Sequence, residues 1–126
     1  MDLVREGCEA FNRGDSEWID RFVDPECEVI EARDIPGAAT YRGHDGLRQA
    51  LAHWTEQFAD LRVELERAVD DGDRVIWVVR QHARGKASGA PVQVRVGYIS
   101  TFRAGRLVRW EMMSPKAALE AVGLRE

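Results

Sequence analysis

The chain has 126 residues, 44% of them hydrophobic and 32% charged, and it carries a formal net charge of -4. A chain of this length supports one core, so residues 1–126 are predicted to fold as a single domain. The acidic balance disfavours binding to nucleic acid, because such binding depends on clustered Lys and Arg that neutralise phosphates.

Two short helices are predicted at the N-terminus. Val4, Cys8 and Phe11 recur at helical spacing, and Gly14 after them favours a left-handed stop. The next apolar residues predict a second helix, which carries Trp18, Ile19, Phe22 and Val23. Asp24-Pro25 is expected to end this helix, because the residue before a proline is pushed out of helical geometry.

A strand, a loop and a third helix are predicted next. Side chains of different character alternate from Cys27 to Arg33, which indicates a strand. Residues 34–41 include Pro36 and Gly37 and are expected to form a loop. The third helix is predicted to open at residues 43–46, and its apolar stripe consists of Leu47, Ala50, Leu51, Trp54 and Phe58.

After Asp60 the apolar period changes to two, which predicts four successive strands. Residues 71–73 and 104–106 fit hairpin turns, and residues 84–91 fit a longer connection. Pro115 is expected to start a last helix that Gly123 ends. Consecutive antiparallel strands together with amphipathic helices indicate an α+β domain whose helices cover one face of a curved sheet.

The same alternation separates two faces of the predicted sheet. The apolar parity is expected to face the helices, with Val108 and Trp110 among its members on the last strand. The opposite parity carries mixed charges, yet it also includes three apolar residues, Ile76, Val78 and Ile99. Apolar residues among exterior charges often mark an interface, so a homodimer through the open sheet face is predicted.

Several polar residues fall on the inward parity instead, namely Glu31, Arg33, Gln81, Tyr98 and Ser100. A few polar groups among large apolar side chains are typical of a small-molecule pocket. The apolar part of this lining is predicted to consist of Trp54, Phe58, Trp77, Trp110 and Met112. We therefore expect the site to bind a small hydrophobic molecule, with Arg33, Gln81 and Ser100 among the binding residues.

Glu31 and Tyr98 are the candidate catalytic residues. Burial disfavours the charged form of a carboxylate, which suits Glu31 to proton transfer as a general base. The Tyr98 hydroxyl can donate a hydrogen bond to an oxygen that gains negative charge, such as that of an enolate. The alternatives are that Glu31 pairs with an arginine such as Arg33, and that Tyr98 is a core aromatic with a satisfied hydroxyl. Gln81 and Ser100 also fit as structural hydrogen-bond partners.

The sequence contains no motif for a metal or a cofactor. HExxH, GxSxG and the Gly-rich phosphate loops are absent from it, and Cys8 and Cys27 lack zinc-like spacing. No apolar run approaches the roughly 20 residues that a membrane helix needs, and the N-terminus does not resemble a secretory leader. We expect no metal, no cofactor, no membrane contact and a cytoplasmic location.

Six segments in order along the chain carry a family resemblance. They are Phe11–Asp15, Asp24–Pro25, Tyr41–Leu47, Ser88–Val92, Phe102–Val108 and Ala118–Leu124. Together they resemble the SnoaL-like branch of the NTF2-like superfamily over nearly the whole chain. The resemblance implies a cone-shaped α+β barrel, with three N-terminal helices packed into the concave face of a bent, mostly antiparallel sheet and a short C-terminal helix. It also implies a cofactor-free pocket and dimers that form through the sheet.

The relatives that this resemblance implies include ketosteroid isomerase and polyketide cyclases. Glu31 matches the catalytic aspartate of the isomerase, and Tyr98 lies near its second acid. The first-helix tyrosine of the isomerase falls near Gly7, which has no side-chain donor. The acid of the cyclases matches Glu111 after Trp110, which the alternation turns outward unless a bulge intervenes.

Three functional hypotheses follow. The first is a SnoaL-like small-molecule enzyme that performs cofactor-free acid–base chemistry, of the cyclisation or isomerisation type, on a hydrophobic carbonyl-containing substrate. The second is a non-catalytic small-ligand-binding or scaffold protein, which the missing tyrosine at Gly7 favours. The third is a subunit that binds a partner through the open sheet face. All three stay open, because a fold alone does not determine function.

Overall fold

The structure of the protein is a computed structural model, and it describes residues 2–15, 17–31 and 39–124. Within these ranges the helices are α1 (Asp2–Arg13), α2 (Glu17–Phe22), α3 (Gly43–Gln57) and α4 (Pro115–Glu120). The strands are β1 (Val23–Ile30), β2 (Thr40–Arg42), β3 (Phe58–Asp71), β4 (Arg74–Gly85), β5 (Pro91–Arg103) and β6 (Arg106–Met113).

The described strands form a single mixed sheet in the order β2-β1-β6-β5-β4-β3. Strands β3 to β6 are a meander of antiparallel neighbours, whereas β1 pairs with β6 in parallel. The parallel pair places the N-terminal strand beside the last one, so both ends of the chain contribute to the centre of the sheet. Glu31 follows directly after β1 and therefore lies near β6.

Bulges in the meander bend the sheet. On β3, Leu65 pairs with Val79 and Arg67 with Val78, so Glu66 is an extra residue on its strand. On β6, Leu107 pairs with Phe102 and Arg109 with Thr101, which leaves Val108 as the extra residue. An extra residue bends its strand and strengthens the local twist. Helices α1, α2 and α3 pack with the inner face around one core, as the predicted α+β class and NTF2-like architecture require.

The bulge on β6 also corrects one sequence prediction. Leu107, which is 7% exposed, packs in the inner core in place of the predicted Val108. The alternation rule fails here because one unpaired residue reverses the orientation of every side chain before it. Trp110 lies beyond the bulge and keeps its predicted inward orientation.

Three element boundaries also differ from the predictions. Val23 begins β1 rather than ending α2, and the strand continues through Asp24-Pro25. Tyr41 lies in the short strand β2 rather than in a loop, because β2 pairs with the end of β1. Phe58 begins β3 instead of ending the third helix. Most of the predicted loop, residues 34–38 with Pro36 and Gly37, lies outside the described residues, as do Ala32 and Arg33 at the end of the predicted strand.

The outer face of the sheet carries a second, smaller core. Ile76, Val78 and Ile99 are buried there under Ala118 and Leu119 of α4. These are the apolar residues from which the homodimer was predicted, and α4 of the same chain covers them. The homodimer itself stays a prediction that this apolar surface no longer supports.

Close packing of α4 depends on Gly97 in β5. A Cβ atom at this position would lie 2.7 Å from the Ser114 carbonyl oxygen and 3.0 Å from Pro115 Cα. Both are backbone atoms, which cannot rotate away as the end of a side chain can. The hydroxyl of Ser114 meanwhile accepts a hydrogen bond from the Ala117 amide and fixes the start of α4.

We predict that Gly97→Ala destabilises the protein by about 1–3 kcal/mol, the usual cost of forcing extra volume into a packed interior. Urea unfolding monitored by circular dichroism measures this change. A variant as stable as the wild type would mean that α4 does not need the close approach to β5.

Candidate functional site

A cavity of about 70 Å³ lies between the N-terminal helices and the inner face of the sheet. We call it the central cavity. Six predicted site residues line it: Trp54, Trp77, Gln81, Tyr98, Ser100 and Trp110. The first helix also contributes Gly7, Cys8 and Phe11, which were not predicted to line a cavity. Their spacing on one face of the helix was visible in the sequence, but the gap above that face was not.

Two hydrogen bonds organise the polar groups of the central cavity. Trp77 Nε1 donates to Ser100 Oγ over 2.9 Å, and Gln81 Nε2 donates to the Tyr98 hydroxyl oxygen over 3.0 Å. Tyr98 is only 2% exposed, and burial raises the pKa of its hydroxyl well above the ordinary value. The Tyr98 hydroxyl is therefore neutral at physiological pH, and its proton is available for donation.

Aromatic rings form one wall of the central cavity. Trp77 and Trp110 stack with ring centroids 5.9 Å apart, and Tyr98 lies 4.4 Å from Trp77 and 5.3 Å from Trp110. Trp18 meets Trp110 edge-on at 6.5 Å. Contacts of this kind hold the rings in fixed orientations, because aromatic pairs prefer offset-stacked or edge-to-face geometry.

Glu31 is buried beside the central cavity without lining it. Its side chain is 8% exposed, and its Oε2 accepts a hydrogen bond from Trp54 Nε1 over 3.2 Å. Its Oε1 accepts from the Ala39 amide, also over 3.2 Å. The Tyr41 hydroxyl is a third donor, and burial followed by the charge and hydrogen bond of Glu31 raises the pKa of Tyr41. The Trp54 indole thus contacts the cavity and the carboxylate together.

The sheet register gives the relation between the two candidate catalytic residues. Ile30 of β1 pairs with Glu111 of β6, so Glu31, one residue later, lies beside Met112. Met112 in turn pairs with Tyr98 of β5. Glu31 and Tyr98 are therefore two strands apart on the inner face, or about 10 Å between backbones. That distance allows both side chains to contact one small molecule, provided that the Trp54 ring moves.

The structure does not bring Met112 or Phe58 to the central cavity. Met112 packs half-buried against the inner core, and Phe58 lines a shallow surface groove with Phe11 and Lys86. Arg33 lies outside the described residues. The Glu111 carboxylate lies 3.4 Å from Arg109 Nη2 in an exposed pair and does not line the cavity.

Within the described ranges, no three His, Cys, Asp or Glu side chains form a group that suits a metal ion. None of the helices in the same ranges has the length and apolarity that a membrane crossing requires.

Both cysteines are buried thiols without a disulfide. Burial raises the pKa of Cys8 to about 11 and that of Cys27 to about 12. Because the thiolate is the reactive form, the Cys8 thiol in the cavity wall is a weak nucleophile near neutral pH. The thiol is thus an apolar element of the wall rather than a candidate nucleophile.

These raised pKa values predict a loss of stability at high pH. Above the ordinary thiol pKa of 9.0, unfolded Cys8 releases a proton that the folded thiol retains up to about 11. The free energy of unfolding therefore falls as the pH rises through this window, by up to about 1.4 kcal/mol per pH unit for each thiol. Urea titrations between pH 8 and 11 measure how steeply the free energy of unfolding falls with pH. Cys8→Ala is expected to make this fall shallower. An equally steep fall in that variant would contradict the raised pKa of Cys8 as its cause.

Gly7 leaves part of the central cavity open. A Cβ atom at this position would meet no described atom within 4 Å, although the residue lies in the interior of α1. Alanine is favoured over glycine in a helix interior by about 0.5–1 kcal/mol. We predict that Gly7→Ala stabilises the protein by this amount, measured by thermal unfolding, and reduces the cavity volume. A lower melting temperature would show that the space above α1 is not open.

Comparisons with solved structures give the fold independently. An NTF2-like protein of unknown function from Burkholderia pseudomallei K96243 is 21% identical with a TM-score of 0.82, over 99% of this chain and 95% of that chain. TerC, co-crystallised with polyporic acid, is 20% identical with a TM-score of 0.80, over 95% and 94%. A proposed SnoaL-like polyketide cyclase from Jannaschia sp. CCS1 is 17% identical with a TM-score of 0.78, over 89% and 82%.

Sequence comparison assigns the family. No curated protein sequence matches the chain at a significant level. The SnoaL-like domain family matches residues 4–110, which include most of α1 and the aromatic wall up to Trp110. This match confirms the resemblance seen in the sequence segments, and the solved structures confirm the NTF2-like fold. The chain therefore belongs to the SnoaL-like domain family.

Proposed function

We propose that the protein is a small-molecule enzyme that performs cofactor-free acid–base chemistry, of the cyclisation or isomerisation type, on a hydrophobic carbonyl-containing substrate. The observation that carries this proposal is the Tyr98 hydroxyl at the central cavity. It is buried and neutral, and because it accepts a hydrogen bond from Gln81, its own proton remains available to a ligand acceptor. A donor of this kind stabilises an oxygen on which negative charge develops.

In this proposal Glu31 removes a proton from the carbon next to the substrate carbonyl. The electron pair of the broken C–H bond forms a C=C bond, and the carbonyl oxygen becomes an enolate oxygen that accepts a hydrogen bond from Tyr98. In a substrate with a C=C bond next to the deprotonated carbon, the negative charge extends over that bond. Protonated Glu31 then returns the proton to the far carbon of this bond, the carbonyl re-forms in conjugation with the shifted C=C bond, and the isomerisation is complete. In a cyclisation, the enolate carbon attacks a second carbonyl carbon of the same molecule and forms a C–C bond. The π electron pair of that second carbonyl moves to its oxygen, which takes the proton from protonated Glu31.

Trp54 controls the access of Glu31 to the substrate in this mechanism. The central cavity, at about 70 Å³, is smaller than the roughly 300–1,000 Å³ of pockets for drug-sized ligands. The Trp54 indole covers the Glu31 carboxylate and lines the cavity. A rotation of this ring both enlarges the cavity and exposes the base, so substrate entry and assembly of the catalytic pair become one event.

Two other observations support parts of this proposal. TerC, which has the same fold, was co-crystallised with polyporic acid, and this supports a small organic ligand for the present chain. The two buried free thiols support the expected cytoplasmic location, because disulfides are rare in that compartment. The homodimer predicted from the family resemblance remains part of the proposal for the assembly.

A second function, ligand binding without catalysis, is favoured by the environment of Glu31. Its carboxylate accepts hydrogen bonds from Trp54, Ala39 and Tyr41, and it does not line the central cavity. A carboxylate with three donors also has a structural role, because it links β1, β2 and α3. The two functions differ in whether bound ketones exchange protons.

The enzymatic proposal predicts that the protein catalyses exchange of the α-protons of small ketones with solvent. We expect deuterium incorporation into cyclohexanone or 2-tetralone in D2O, measured by NMR, above the buffer rate. Glu31→Gln is expected to abolish the exchange, because the amide is not a base. Tyr98→Phe is expected to slow it by about 10²–10³, the usual effect of removing one oxyanion donor.

Glu111→Gln is the matched control, because it removes a carboxylate on the outer face, paired with Arg109. This variant is expected to exchange protons at the wild-type rate. Equal exchange by Glu31→Gln and wild type would refute the role of Glu31. Binding of the ketones without any exchange above the buffer rate would establish the second function instead.

A further inference from the structure

Two stacked tryptophans on the cavity wall differ in one respect. Trp77 and Trp110 are each 8% exposed, and both line the central cavity. The indole N–H of Trp77 donates to Ser100 Oγ over 2.9 Å. The indole N–H of Trp110 is buried and has no hydrogen-bond partner among the described residues.

A buried N–H without an acceptor is unusual, because the large majority of buried polar side-chain atoms in folded proteins are paired. The indole nitrogen is a donor only, so an acceptor is the one group that can satisfy it. Bringing an acceptor to such a group is favourable, since the cost of removing the N–H from water is already present in the folded protein. Trp110 lines the central cavity, but its Nε1 has almost no surface exposed there, so an acceptor in the cavity reaches the N–H when a neighbouring side chain shifts.

The other residues that line the cavity indicate which kind of ligand would carry that acceptor. No described residue that lines the cavity carries a charge at neutral pH. Tyr98, whose ring centroid lies 5.3 Å from that of Trp110, is a second donor on the same wall. Two neighbouring donors in uncharged, apolar surroundings favour a neutral molecule with an acceptor oxygen over a cation or an anion.

We propose that Trp110 is a specificity-determining residue, whose indole N–H donates a hydrogen bond to the oxygen of a neutral, apolar ligand such as a ketone. This inference rests on the proposed function only in taking the central cavity as the binding site. It requires no proton transfer. Trp77 provides the internal contrast, because its N–H is already occupied by Ser100.

Proton NMR of the indole groups tests this proposal in the wild-type protein. The chain has four tryptophans, so four indole N–H resonances are expected, and single Trp→Phe variants assign them. The probes are cyclohexanone and methylenecyclohexane, which have the same shape but only one of which carries an acceptor. Cyclohexanone is expected to move the Trp110 resonance downfield and leave that of Trp77 in place. Methylenecyclohexane is expected to leave both without a downfield shift.

Binding affinities give a second measurement. Trp110→Phe is expected to weaken cyclohexanone by about threefold to tenfold, the equivalent of one net hydrogen bond, and to leave methylenecyclohexane within twofold. An equal downfield shift by both probes, no Trp110 shift up to the solubility limit of cyclohexanone, or equal weakening of both probes would each overturn the proposal. If Trp110→Phe does not fold, the wild-type titration decides alone.

The outcomes also separate this proposal from the catalytic one. A Trp110 shift with cyclohexanone but without proton exchange supports the role of Trp110 and counts against catalysis. Proton exchange by Glu31 in a protein whose Trp110 resonance does not respond supports catalysis and overturns the role of Trp110.

Discussion

The central cavity depends on a pair of hydrogen bonds between Asn12 and the edge strand β3. Asn12 Nδ2 donates to the Val63 carbonyl over 2.8 Å, and the Val63 amide donates to Asn12 Oδ1 over 2.9 Å. The side-chain amide thus takes the place of a neighbouring strand and satisfies backbone groups that an edge leaves unpaired. Because Asn12 lies in the last turn of α1, these bonds set the distance between the helix and the sheet. Gly7 then leaves space that a larger residue would fill.

The two faces of the bent sheet carry different kinds of residues. The inner face carries the aromatic wall and the Tyr98 hydroxyl, whereas the outer face carries α4 over one part and charged residues over another. Glu66, the extra residue of the β3 bulge, contacts Arg80 at 3.1 Å and Arg95 at 2.8 Å there, and these contacts lower its pKa. The charges therefore lie away from the cavity, whose lining stays neutral among the described residues. This separation keeps the effective dielectric near Tyr98 low, which strengthens any hydrogen bond that the hydroxyl makes.

The sequence was most informative where the strands are regular. Tyr98 and Ser100 were assigned correctly to the inner face. The reason is that β4 and β5 pair without a bulge, from the Arg74–Thr101 pair to the Arg84–Pro91 pair. Val108 was assigned wrongly, since a bulge depends on the pairing of two strands and leaves no periodic signal in one. The cover of Ile76 by α4 was also missed, because it is a contact distant in sequence. The burial of Glu31 was predicted, but its separation from the cavity by Trp54 depends on a rotamer that no sequence pattern encodes.

Trp54 therefore links the proposed ligand binding to the proposed proton transfer. Its ring faces the cavity while its N–H occupies Glu31 Oε2, so a ligand that displaces the ring also removes one donor from the carboxylate. The Ala39 amide and the Tyr41 hydroxyl still hold the carboxylate in place after that change. The Trp54 indole covers the carboxylate in the structure, and in the proposed open state this base would face a substrate whose oxygen Tyr98 and Trp110 would orient. A cavity that is small when empty is thus compatible with a larger substrate, provided that the substrate itself moves Trp54.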